Sequence, residues 1–324
     1  MKTAPSAANP PIASGSIAPA FIHPSSIPPS VYWMLALVAL MWGLSWPFMK
    51  LSLSGMEPLR YRSFSMFGAM SGLFLIAWLT GASLRLPRGS LPRLAFIAFF
   101  NMAAWSMLMI FGLQLLAAGR ASILAYTFPL WTVPLSAWLM REPITSRKIC
   151  GLVLGLAGMG LLLGDELFVM GRSPLGALLL IGSAIFWAIG TVAMKRWPVE
   201  MPLVSFTAWQ TLVAFVPIVT LALCLEDGPI HPFGLPLPVM LAILYGAFIA
   251  SIFAQWMWYR IVQLTSAAVS SISITVVPVM GVFFSMLILD ESPHVTDYAA
   301  LVLVVGSLAF ILLPPSSVKM FRAR

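Results

Sequence analysis

"MWGLSWPFMK" (residues 41–50) closes the first long apolar run of the chain, and "FWAIGTVAMK" (residues 186–195) closes another run far downstream. A constant shift of 145 sets Trp42 on Trp187, Met49 on Met194 and Lys50 on Lys195. A second register is longer. With a shift of 149 and no gaps, Gly112–Leu154 lies on Ile261–Leu303 with 12 identities in 43 positions, among them Gln114/Gln263, Ser122/Ser271, Pro129/Pro278, Ser136/Ser285 and Glu142/Glu291. Apolar segments match by chance more often than soluble ones, but prolines and polar residues do not easily fall into register that way. The chain reads as a duplication.

The duplicated unit is a membrane unit. Of 324 residues, 60% are hydrophobic and 9% charged, and the mean hydropathy is +0.97, whereas soluble domains carry about 25% charged residues. Crossing a bilayer core of about 30 Å takes roughly 20 apolar residues in a helix. Ten such stretches are present, near 31–52, 58–80, 92–115, 120–140, 148–164, 175–194, 202–224, 237–260, 268–289 and 297–314. The expected fold class is therefore an all-α polytopic membrane protein with ten transmembrane helices in two five-helix repeats, 31–164 and 175–314. Residues 1–30, rich in Pro, Ser and Ala, are expected to form a flexible tail without the compact apolar core of a signal peptide. Residues 315–324 form a short basic tail. Because five is odd, the second copy enters the membrane from the opposite side. Inverted repeats are typical of secondary transporters, in which exchange of the two copies' geometries produces alternating access.

The net charge of +8 is distributed as an orientation signal rather than as a nucleic-acid surface. If both termini share one side, that side holds 13 of the 18 Lys and Arg, and positive loops stay in the cytoplasm. Both termini are thus expected to be cytoplasmic. Cys150 and Cys224 then lie near opposite faces, too far apart for a disulfide, and are expected to be buried, inert thiols.

The segments "LMWGLSWPFMK", "IFWAIGTVAMKRW", "AAGRASILAYTFPLWTVPLSAWLMREPITSRKICGLVLGLAGMGLLL" and "TSAAVSSISITVVPVMGVFFSMLILDESPHVTDYAALVLVVGSLAFIL" resemble the EamA family of the drug/metabolite transporter superfamily. The resemblance covers essentially everything after residue 30. It implies a ten-helix, basket-like carrier in a bacterial inner membrane, with helices 1, 3, 4, 6, 8 and 9 around the substrate and helices 5 and 10 at the periphery. Family members mostly export amino acids or related small metabolites; superfamily relatives carry nucleotide sugars, phosphorylated sugars or, as four-helix dimers, cationic drugs. The four-helix members depend on a Glu in the first helix. Residues 31–53 contain no acid, which argues against a cationic-drug antiporter.

No carboxylate falls in the middle of an apolar run, so proton coupling through a membrane-embedded acid is not written in the chain; a facilitator is the simpler reading, with coupling through a helix-end acid or the substrate's own charge as the alternative. Glu142 and Glu291 recur at equivalent positions but sit in turns before helices 5 and 10, where they would favour those helix starts. Lys50 and Lys195 end helices 1 and 6, where cations are favourable without any ligand. The expected cavity is aromatic and amide-lined: Trp42, Trp46, Trp105, Trp187 and Trp258 with Tyr126, Ser45, Asn101, Thr191, Gln255, Ser271 and Thr275 as candidate substrate contacts. Each could equally serve packing or interhelical hydrogen bonding, worth about 0.6 kcal/mol on average. Trp33, Trp78, Trp138 and Trp197 suit an interfacial belt. Pro129 and Pro278, equivalent in the repeat, are candidate hinges. Gly151/Gly155 and Gly160/Gly164 have small-xxx-small spacing, which serves the bundle itself or a weak homodimer.

An aromatic and amide lining suits a small neutral or zwitterionic solute with an apolar side chain, and the lipid bilayer is the other expected partner. No cofactor, metal or nucleic acid is expected. An intramembrane enzyme would need converging His, Asp, Glu or Cys groups, but His23, His231 and His294 lie in a tail, a loop and a helix end. A selective channel would want rings of carbonyls or charges. The rival within transporters is a carrier of phosphorylated sugars or nucleotide sugars, for which only Lys50, Lys195, Arg120 and Arg260 offer a phosphate site.

Overall fold

Ten apolar helices run back and forth through the computed structural model, which describes residues 29–168, 174–264 and 267–312. The tail expected over 1–30, apart from its last two residues, and the basic tail over 315–324 lie outside the described residues. Helix α1 is Pro29–Ser52 and α2 is Pro58–Leu79, the latter opening on a proline whose missing N–H costs nothing in the first turn. Helix α3 is built of three pieces: Leu91–Ala98, a π-helical segment Phe99–Ala104, and Trp105–Leu115. Helix α4 has two halves, Ala118–Ala125 and Phe128–Met140. Then come α5 (Ser146–Phe168), α6 (Pro174–Arg196) and α7 (Leu203–Leu225). Helix α8 again has three pieces, Leu237–Leu244, a π-helical segment Tyr245–Phe253, and Ala254–Leu264, and is followed by α9 (Ala267–Leu289) and α10 (Val295–Leu312). Nine of the ten are long and apolar enough to span a membrane, and α9 carries its apolar stretch over Ile274–Leu289.

The helices close into a ring. α1 lies between α8 and α9, α6 lies between α3 and α4, α4 packs on α9, and α2 and α7 pair to join α8 to α3. α5 and α10 pair with each other outside this ring. Every one of these relations maps onto itself or its counterpart when the two copies are exchanged, as a two-fold axis between inverted repeats requires.

The repeat extends to irregular backbone. Arg141 and Asp290, which are 149 apart, are the non-glycine residues with positive φ among those described, at 56° and 52°. Such a conformation is uncommon for a residue with a side chain, so its recurrence marks equivalent helix ends. The composite helices are equivalent too. Their pieces have 8, 6 and 11 residues in α3 and 8, 9 and 11 in α8. The offset between copies is 146 where they begin, at Leu91 and Leu237, and 149 after the π-helical segments, at Trp105 and Ala254. The three extra residues of the second copy are therefore taken up in the wider turns of its π-helical segment. Wide turns of this kind are rare and cluster at functional sites.

Pro129 and Pro278 behave differently. Pro129 cannot donate to the carbonyl of Ala125 and its ring crowds that carbonyl, and α4 breaks there, with Tyr126 and Thr127 in a turn between the halves. Pro278 stays inside α9, which continues through it.

The cysteines are a correction: both are free and exposed on the protein surface, not buried. A thiol is apolar enough to face acyl chains, so nothing forces it inward. Trp33, Trp78, Trp138 and Trp197 are exposed, as a belt requires. The α5 glycines divide. Gly151 and Gly155 pack against α10 at Ser307, whereas Gly160 and Gly164 face open space.

Candidate functional site

Five aromatic rings from four helices form a continuous arc inside the ring of helices. Trp46 of α1 meets Tyr126, in the break of α4, at 6.3 Å between centroids. Tyr126 leads to Phe128 at 6.4 Å, Phe128 to Trp187 of α6 at 5.8 Å, and Trp187 to Trp105 of α3 at 4.4 Å in an edge-on contact. Edge-on and tilted contacts suit the quadrupoles of the rings. The break in α4 has a direct role, since Tyr126 lies within it and Phe128 opens the second half, and the two link Trp46 to Trp187. At the end of the arc the guanidinium carbon of Arg62, on α2, lies 5.9 Å from the centroid of the Trp105 ring.

A polar network lies beneath the arc. Asn101, in the π-helical segment of α3, donates through Nδ2 to the Trp187 carbonyl at 3.3 Å and to the Thr191 hydroxyl at 3.4 Å. Its Oδ1 accepts from Gln210 Nε2 of α7 at 3.3 Å. Thr191 donates to the Trp187 carbonyl at 2.8 Å. The second copy makes an analogous contact, in which the Trp42 indole donates to the carbonyl of Ala250, within the π-helical segment of α8, at 3.2 Å. In each copy the wide turns of one helix meet the repeat-related tryptophan of another.

The candidates named from sequence sort into groups. Trp46, Tyr126, Trp187 and Trp105 form the arc, and Asn101 and Thr191 the network. Trp42 and Trp258 meet in a tilted contact at 5.5 Å on the α1–α8 side, with the Ser45 hydroxyl turned back to the Trp42 carbonyl at 2.6 Å. Gln255 is half-buried on α8, and Thr275 is buried on α9. The Ser271 side chain lies outside the described residues. Phe128, Gln210 and Arg62 were not anticipated. The change of offset between the copies, from 145 at Trp42 to 149 at Gly112, was the signal that could have located the π-helical segments.

The buried charge contacts among the described residues gather at one end of the bundle, where α1, α3, α5, α7 and α9 finish. Lys50 Nζ donates to the carbonyls of Leu113 and Gln114, each at 2.8 Å, satisfying the open end of α3. Arg120 Nε pairs with Asp297 Oδ1 at 2.7 Å and its Nη2 with Asp165 Oδ2 at 2.8 Å. Glu226 accepts from the amides of Leu59 and Arg60, each at 2.9 Å, while the Arg60 guanidinium turns back to the carbonyls of Glu226 and Gly228.

Glu291 accepts from the amides of Ala118 at 2.6 Å and Gly119 at 3.0 Å. This corrects the sequence expectation. Glu291 serves the start of α4 in the other copy, and the start of α10 is served by Asp297 Oδ2, which accepts from the His294 amide at 2.8 Å. Glu142, the repeat counterpart of Glu291, instead meets Lys148 at 3.7 Å near the surface. Glu291→Gln is expected to lower stability by about 1 kcal/mol, the usual worth of such a cap, read as a fall in melting temperature of the detergent-solubilised protein. An unchanged melting temperature would mean that the cap adds nothing.

Three comparisons agree with this architecture. The EamA-like transporter family matches over residues 29–164 and again over 174–313. The chain is 24% identical over 255 residues to "Uncharacterized transporter YoaV" of Bacillus subtilis, covering 78% of this chain and 87% of that protein. It is 25% identical over 281 residues to "Probable amino-acid metabolite efflux pump" of Escherichia coli, covering 84% and 91%. A protein of known crystal structure superposes with a TM-score of 0.63 at 20% identity, over 90% of this chain and 98% of that one, which shows a shared fold. With both copies matched and ten apolar helices in place, the chain belongs to the EamA-like transporter family and is a multi-pass bacterial membrane protein.

Proposed function

We propose that the protein is a secondary carrier that exports small neutral metabolites by alternating access, in the first instance amino acids with apolar or aromatic side chains, and that it works by facilitated diffusion. The observation that carries this reading is the aromatic arc of Trp46, Tyr126, Phe128, Trp187 and Trp105 beside the Asn101 network. Rings give an apolar side chain a surface to pack on, and amides orient the polar end. The name of the Escherichia coli relative is in keeping with it. The acids described all lie at helix ends or in loops, and Asp165, Glu226, Glu291 and Asp297 are engaged in structural contacts there. None is placed to load and release a proton within the arc.

A phosphate carrier draws little support from the four cations that sequence offered for it. Lys50 and Arg120 are committed to carbonyls and carboxylates, and Lys195 and Arg260 are exposed.

The test is uptake of radiolabelled phenylalanine and leucine into proteoliposomes, with and without a proton gradient and with a sugar phosphate as control. Saturable uptake of the amino acids, indifferent to the gradient, is expected. Movement of the sugar phosphate alone would overturn the substrate assignment, and dependence on the gradient would overturn facilitated diffusion.

A further inference from the structure

Arg62 differs from every other basic side chain described. Arg85, Arg88, Arg93, Arg141, Lys195, Arg196 and Arg260 are exposed. Lys50, Arg60, Arg120, Arg147 and Lys148 all have oxygen partners. Arg62 is half-buried, its Nε is fully buried without a hydrogen-bond partner, and its guanidinium lies over the face of Trp105. Among the described residues, ion pairs are made by Arg120 with Asp165 and Asp297 and by Lys148 with Glu142, and none reaches Arg62.

A guanidinium cannot shed its proton, and burying even part of an unpaired charge is costly. Intramembrane ionisable groups turned toward a bundle interior mark substrate paths. The guanidinium fork matches a carboxylate in two-point geometry, and it stands at the end of the arc where an apolar body would lie. The second copy has no such residue. The helix starts at Pro58 and Leu203 correspond, which sets Arg62 opposite Thr207, so the cation is a single, asymmetric feature in a symmetric frame. No described carboxylate stands in the arc to receive an ammonium, which would find ring faces, hydroxyls and carbonyl oxygens.

We propose, resting on the carrier reading above, that Arg62 binds the carboxylate of the transported solute, and that the site therefore takes monocarboxylates with an apolar or aromatic body whether or not they bear an α-amine. The carboxylate is the required group and the amine a tolerated one.

Competition against radiolabelled phenylalanine in proteoliposomes tests this. 3-Phenylpropionate is expected to compete within about threefold of unlabelled phenylalanine, and phenethylamine and phenylalaninamide at least tenfold less well, the loss of a charge-assisted bond being worth a factor of ten or more. Equal competition by the amine would overturn the proposal. Arg62→Gln is expected to raise the KM for phenylalanine ten- to a hundredfold, with Arg62→Lys in between, and an unchanged KM in Arg62→Gln would also overturn it. A second readout is independent of transport: 3-phenylpropionate should raise the melting temperature of the solubilised wild-type protein and not that of Arg62→Gln. If phenylalanine is not transported but this shift is seen, the carrier substrate is wrong and the carboxylate site stands. If chloride at equal concentration gives the same shift, Arg62 holds an adventitious ion only and the proposal fails. Arg62→Gln itself should melt no lower than wild type, because it removes an uncompensated charge; a large fall would assign Arg62 a structural role instead.

Discussion

Gly190→Val is expected to abolish folded protein, and Gly190→Ala to lower the melting temperature sharply. Gly190 lies on α6 against the π-helical segment of α3, and a Cβ there would stand 2.5 Å from Asn101 Cβ and 2.8 Å from Asn101 N. The obstacle is backbone, held by the wide turns and by the hydrogen bonds of Asn101 to α6, so no flexible side-chain tip can swing away. Overpacking a tight interior costs about 1–3 kcal/mol when side chains can adjust, and occasionally more; here α3 and α6 must separate. Size-exclusion chromatography of a fluorescent fusion checks it. A monodisperse peak of wild-type height for Gly190→Val would show that the two helices do not approach as described.

Arg120→Met is expected to cost about 3–5 kcal/mol, the usual penalty for stranding the partners of a buried ion pair. Arg120 and Asp297 are both buried, with side-chain exposures of 5% and 8%, so water cannot take over. The cost arises from the stranded carboxylates, which makes it partly reversible. Arg120→Met combined with Asp297→Asn should melt above Arg120→Met alone, since Asn keeps an oxygen for the His294 amide and removes the charge. If the double variant melts lower than both single ones, the arginine contributes through packing of its stem and not through its charge. Thermal unfolding of the three variants in one detergent separates these outcomes.

Sequence made the ten spans and their duplication legible because both rest on long-range regularities: runs of about 20 apolar residues and polar identities held in register. Equivalence of Glu142 and Glu291 was legible, but their contacts were not, since the group each meets depends on how two distant copies dock. The π-helical segments Phe99–Ala104 and Tyr245–Phe253 are compositionally ordinary, and only the growing offset between copies betrays them. Arg62 was hidden by its neighbours. It stands with Glu57 and Arg60 around the start of a span, where charged residues are ordinary. Yet residues two apart on a helix face different directions, and Arg60 turns to the end of α7 while Arg62 turns to Trp105. Four of the aromatic residues named from sequence meet in one chain of ring contacts, whose continuity depends on Phe128 and on the break that Pro129 forces in α4.

The unequal use of two equivalent glutamates has an energetic consequence. Glu291 holds the first amides of α4, while Glu142 is left to Lys148. The duplication makes Ala267 and Ala268, where α9 begins, the counterparts of Ala118 and Gly119. A rearrangement that exchanged the roles of the copies would break two charge-assisted bonds at one end and form two of the same kind at the other. For these caps taken alone the exchange is nearly thermoneutral, so the bias between two such states would rest on features without a counterpart, such as the Arg120 ion pairs. A minor state only a few kcal/mol above the major one is populated at roughly 0.1–10%. In a carrier of the kind proposed, paired caps of this sort would let one end close as the other opens without a large difference in energy from the caps themselves.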